Sequence, residues 1–119
     1  MNNGINGPSK TRGNTVDLGK VSGLVVINYT PDSERQTVTL DGTATTFVEG
    51  GGWPSSSNTV KDLTLNIVVS NANTSVTWTI VTHWYRQPDS PLPVGTHVVL
   101  LRAVGNNVIE GHYIGNKTN

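Results

Sequence analysis

Leu63-Thr64-Leu65-Asn66-Ile67-Val68-Val69, then Ser70-Asn71-Ala72-Asn73-Thr74, then Ser75-Val76-Thr77-Trp78-Thr79-Ile80-Val81-Thr82-His83-Trp84-Tyr85, is the stretch on which the fold turns. Side chains alternate across an extended chain, so Leu63, Leu65, Ile67 and Val69 share one face, with Asp62, Thr64 and Asn66 opposite. Val76, Trp78, Ile80, Thr82 and Trp84 line one face of the following segment. Thr77, Thr79, Val81, His83 and Tyr85 line the other. The pattern predicts two partner strands joined by a turn at Asn71–Thr74 at the centre of the core, with Trp78 and Trp84 as core side chains.

The neighbouring segments read the same way. Leu24-Val25-Val26-Ile27-Asn28-Tyr29 is a continuous apolar run, consistent with a strand buried on both faces. Tyr29 to Ser33 is a turn, because Pro31 fixes φ and Asp32 can bond its own backbone. Thr37 to Leu40 alternates, Asp41-Gly42 predicts a tight hairpin, and Thr43 to Val48 is the returning strand. Glu49 to Asn58 is the longest irregular stretch, and it contains Trp53. Pro88, Pro91 and Pro93 end the Trp84 strand, since proline has no N–H to give a ladder. A last hairpin runs from Thr96 to Val104, turns at Gly105-Asn106-Asn107 and returns from Val108 to Ile114.

These readings predict an all-β fold, an antiparallel β-sandwich or small β-barrel of seven to eight strands, with no internal repeat. One domain is expected over residues 15–116, with an extended arm at 1–14 and a short tail at 117–119. The arm holds Gly4, Gly7, Pro8 and Gly13, with Ile5 its one aliphatic side chain after Met1. Alone it buries too little apolar area to offset its ordering entropy, so it is expected to be a flexible arm that orders either against a neighbour, with Ile5 and Pro8 as contact residues, or on its own domain.

Composition supports strands over helices. Val and Thr are abundant, and Ala occurs only at Ala44, Ala72 and Ala103 among 119 residues. β-Branched side chains suit a pleated surface. Charged residues make up 13% and cancel to zero, and no Lys/Arg cluster exists to displace counterions from a nucleic acid. Nucleic acid is therefore not an expected partner. The chain has no cysteine, which excludes thiolate catalysis and thiolate metal sites. Met1-Asn2-Asn3-Gly4 has neither the basic start nor the apolar run of a signal peptide, and no apolar stretch reaches the ~20 residues of a membrane helix.

Catalytic chemistry finds no constellation in the sequence. The carboxylates of Asp32, Glu34, Asp41 and Asp89 fall in or near turns, and Asp62 falls on a polar strand face, where solvated charges belong. Glu49 and Glu110 have no evident role. His83, His97 and His112 come from separate strands without short ligand spacing, so no metal is expected. Ser55-Ser56-Ser57 lacks a base and a nucleophile elbow. No phosphate-cradling loop is present, so no cofactor is expected and the chain reads as a non-enzyme. Aromatics are the better candidates: Trp53 beside Gly52, with Tyr85 and Tyr113, offers stacking surface for a protein partner or a sugar.

Pro91-Leu92-Pro93-Val94-Gly95-Thr96-His97-Val98-Val99-Leu100-Leu101-Arg102, followed by Asn107-Val108-Ile109-Glu110-Gly111, resembles a pattern in small virion structural proteins of tailed bacteriophages. There a Val-Gly-Asp step enters a Val-x-Val-Leu strand, and a second strand returns to a glycine. This chain departs from the pattern at Thr96, where Asp is preferred. Thr37-Val38-Thr39-Leu40-Asp41-Gly42 is similar to the early hairpin of such proteins. The resemblance implies a β-domain serving as a head decoration, connector or tail component of a particle, self-associating or docked on other particle proteins in the virion. A carbohydrate-binding module or lectin, and a small β-sandwich toxin subunit, are the alternative expectations.

Overall fold

The computed structural model describes residues 15–54, 59–71 and 74–117. The expected contacts of Ile5 and Pro8 lie outside the described residues. Among the described residues there are seven strands: β1 (Thr15–Ile27), β2 (Arg35–Glu49), β3 (Lys61–Val69), β4 (Ser75–Trp78), β5 (His83–Arg86), β6 (Gly95–Ala103) and β7 (Ile109–Asn116). They form one sheet in the order β1-β2-β3-β6-β7-β5, with β4 also paired to β2. The fold is all-β, as the alternation predicts, and no described helix is long and apolar enough to cross a membrane.

Pairing differs from the antiparallel arrangement expected. β1 with β2, β2 with β3, β2 with β4, and β5 with β7 are parallel, while β3 with β6 and β6 with β7 are antiparallel. The amino-terminal half is a coil of three parallel passes, each with two arms joined at a corner. The first arms align Val16, Gln36 and Leu65 in one row, and Val21, Leu40 and Val69 in another. The second arms align Val25, Phe47 and Trp78. The corners stack too. Thr74 Oγ1 donates to Gly42 O at 2.7 Å, and a Cβ on Gly42 would lie 3.2 Å from Ser22 Cβ.

Asp41-Gly42 is therefore a corner within β2 and not a hairpin. Gly42 adopts φ +116°, and a bend in a parallel coil uses that left-handed freedom as readily as a hairpin turn does. β3 and β4, expected to pair with each other, both lie alongside β2 instead. The strand expected to run from Val76 to Tyr85 breaks after Trp78. Val81 N–H bonds Trp78 O, closing a turn, while the N–H groups of Ile80 and Thr82 reach Phe47 O and Ile109 O. The 24–29 run is buried on one face only: Val25 and Ile27 are inside, and Leu24 and Val26 are 70% and 48% exposed. Among the described residues β1 ends the sheet, and its apolar run has one face against the core and one exposed.

The carboxy-terminal hairpin forms as the sequence predicts. Gly105, Asn106 and Asn107 all have positive φ, and Val108 N–H donates to Gly105 O. The core is one cluster that includes Ile27, Val38, Phe47, Leu63, Leu65, Ile67, Leu92, Val99, Leu101 and Ile109. At its aromatic end Phe47 and Trp78 lie 4.8 Å apart between ring centroids, and Trp84 meets Trp78 edge-on at 5.3 Å. Trp84 lies over its paired residue Gly111, where any Cβ would sit 2.5 Å from the indole. The glycine to which the last strand returns is the one that leaves room for this ring.

His97 is fully buried between the two halves of the last hairpin. A carbonyl only accepts, so Nε2 carries the proton and donates to Pro93 O at 2.7 Å, and Nδ1 accepts from the Tyr113 hydroxyl at 2.8 Å. Burial raises the Tyr113 pKa, with Arg86 acting against it and Asp89 adding to it. Tyr29 is raised by burial first, then by the Glu34 carboxylate, to which its hydroxyl donates at 3.3 Å, and by Asp62.

Both tyrosines resist ionisation in the fold, whereas unfolded tyrosine titrates near pH ~10. Their contribution is therefore complete below that pH and is lost as pH rises toward the folded values. Melting temperature should fall above about pH 10, and Tyr29→Phe should make that alkaline decline shallower. A melting series from pH 8 to pH 11 on both proteins measures the difference.

Candidate interaction surfaces

Trp53 and Gly52 form a pin for the loop after β2. The indole Nε1–H donates to Ile27 O at 2.9 Å, and the half-buried ring lies 5.4 Å from Tyr29. Gly52 has φ +86°, and a Cβ there would run into the Tyr29 carbonyl oxygen. Gly52→Ala should therefore destabilise the chain by about 1–3 kcal/mol, the usual range for a strained backbone position, as read by denaturant melting. These contacts tie the loop to the end of β1 and leave Trp53 less ring surface for a partner.

Tyr113 is also engaged inward, bonded to His97 and covered by Arg86, whose guanidinium carbon is 5.3 Å from the ring centroid. Tyr85 is different. Its neighbour Trp84 faces the core, so alternation turns Tyr85 outward, where it is 62% exposed. It stacks on His112 at 4.8 Å and 16°, with His83 edge-on at 4.8 Å. The Tyr85 hydroxyl donates to Glu110 Oε2 at 3.4 Å, and His112 Nε2 lies 3.5 Å from Glu110 Oε1. Pairing of β5 with β7 places His83 opposite Glu110 and so assembles this group. The row continues through Arg102, which grips Asp62 with Nε and Nη2 at 2.7 and 3.1 Å. Sequence reading found Tyr85 but not His83, Glu110 and His112 around it, because a parallel pairing between distant strands brings them together.

The three histidines do not converge: His97 is internal, while His83 and His112 flank Tyr85. Among the described residues no group of three or more His, Asp or Glu side chains is placed to hold a metal. A groove of about 410 Å³ opens among Arg35, Asn66, Val98, Ile114, Asn116 and Lys117.

The second surface is the free edge of β1. Among the described residues nothing pairs with its outer side. Val16, Leu18, Leu24 and Val26 are exposed along it, and residues 21–29 carry no charge. A hollow of about 220 Å³ runs beside it, lined by Val16, Leu18, Val26, Asn28, Thr30 and Gln36. Edge strands in soluble proteins are usually short, charged or covered, because their unpaired N–H and C=O groups template further pairing. Asp17 and Lys20, with the bulge at Leu18-Gly19, guard the first arm of β1, whereas the second arm has no such guard.

Comparison with protein-family models, with curated proteins and with solved structures finds no match.

Proposed function

We propose that this chain is a non-catalytic structural protein that works by assembly, as a component of a phage-like virion such as a head decoration, connector or tail protein. The observation that carries the reading is the unguarded second arm of β1, with Leu24 and Val26 exposed and its outer edge unpaired among the described residues. An uncharged edge of this kind is a hazard in a free monomer and an asset in a part that is covered in use. The carboxy-terminal resemblance supplies the particle context. Light scattering on the full chain across a wide concentration range tests the reading. Self-association is expected, and a strict monomer at millimolar concentration would overturn it.

A second reading, carbohydrate binding, is favoured by the Tyr85 face. An exposed ring with one face stacked on His112, His83 edge-on to it and the Glu110 carboxylate at its hydroxyl offers apolar surface for a sugar and acceptors for its hydroxyls. A glycan array that gives a hit lost in Tyr85→Ala would move the assignment to this reading.

A further inference from the structure

We propose that the second arm of β1 pairs with the same arm of a second copy of this chain, antiparallel about a twofold axis at Val25. This deepens the assembly reading and rests on it.

The direction of the backbone groups sets the register. Gly50 N–H bonds Ile27 O, and Tyr29 N–H bonds Gly51 O, so the odd-numbered residues here turn their polar groups toward β2. Alternation then points the N–H and C=O groups of Leu24 and Val26 away from the sheet. In an antiparallel ladder two residues that face each other exchange both hydrogen bonds at every second pair. An axis at Val25 sets Leu24 of one copy opposite Val26 of the other, which is such a pair, and symmetry repeats it. Val25 faces Val25 as the closer, non-bonded pair between them. The sequence from Gly23 to Ile27 is thus complementary to itself in hydrogen bonding.

The side chains agree with this register. Leu24 and Val26 stand on the outward face, so the two copies form an apolar cluster across the junction. An interface limited to one strand edge and its flank lies at the low end of the ~1,200–2,000 Å² of stable complexes, so the dimer is concentration-dependent.

The chain has no cysteine, which makes a clean cross-linking test possible. Full-length Leu24→Cys and Val26→Cys are prepared separately and then oxidised alone and as a mixture. Facing residues in a bonded antiparallel pair are ~5.5 Å apart at Cα, within disulfide reach. The mixture is expected to give a 24–26 disulfide dimer in several-fold excess over either variant alone. Val26→Lys, at an exposed position, is expected to leave the melting temperature unchanged and weaken self-association at least tenfold. Oligomers that form no 24–26 cross-link and tolerate Val26→Lys would overturn this register while leaving the assembly reading intact. A chain that stays monomeric at every concentration would overturn both.

Discussion

Trp78→Ala is expected to lower the unfolding free energy by about 3–5 kcal/mol, the usual range for deleting a large buried aromatic. Trp78 closes the Val25, Phe47 and Trp78 row that ties the three passes together, and it supports Trp84 from below. Domains of this size are stable by only about 5–15 kcal/mol, so the variant should melt far below the parent or fail to accumulate. Trp78→Phe separates packing from polarity. The Trp78 indole N–H is buried without a partner among the described residues, and an orphaned buried donor costs about 1–3 kcal/mol. Phenylalanine keeps much of the stacking on Phe47 and removes that donor. Trp78→Phe should therefore cost at most about half as much as the alanine change. Urea unfolding of the three proteins, followed by circular dichroism, measures both steps.

His97→Ala is the second large effect, expected at about 2–4 kcal/mol. The substitution opens a cavity at a fully buried site and strands the Pro93 carbonyl and the Tyr113 hydroxyl, which the imidazole now joins. If the lost hydrogen bonds dominate, His97→Gln should recover part of the stability, and His97→Leu, which fills space without bonding, should recover less. The same denaturant series ranks the three. This imidazole holds the entry to β6 against β7, so its loss should also loosen the hairpin that supports the Tyr85 face.

How far the sequence carries depends on which interaction decides each element. Strand existence was legible, because Leu63, Leu65, Ile67 and Val69 recur at every second position and all four are buried. The last hairpin was legible because Gly105-Asn106-Asn107 supplies three consecutive positive φ angles. Pairing direction was not. Asp41-Gly42 favours a tight bend, but a bend serves a parallel corner and a hairpin alike, and the choice falls to partners twenty to thirty residues away, such as Thr15 opposite Arg35 and Arg35 opposite Thr64. The three passes also share no sequence period, because seven residues separate β1 from β2 and eleven separate β2 from β3.

The candidate surfaces divide along the same line. Tyr85 was visible as an aromatic on the polar face of its segment. Its partners Glu110 and His112 lie on β7, beyond the reach of local pattern. The open edge of β1 was hidden by its own composition. A run such as Leu24 to Ile27 predicts burial on both faces, and only the strand order shows that, among the described residues, β1 ends the sheet. A mismatch between an apolar run and an exposed position is the feature from which the assembly reading starts.

Amide hydrogen exchange of the full chain, followed residue by residue at low and high protein concentration, tests the central claim most directly. Val25 and Ile27 should be protected at both concentrations, since their amides face β2. Leu24 and Val26 should exchange quickly when dilute and become protected as concentration rises. Protection of Leu24 and Val26 that does not change with concentration would mean the chain covers this edge itself. Fast exchange at every concentration would mean nothing covers it, and either result would contradict pairing between copies.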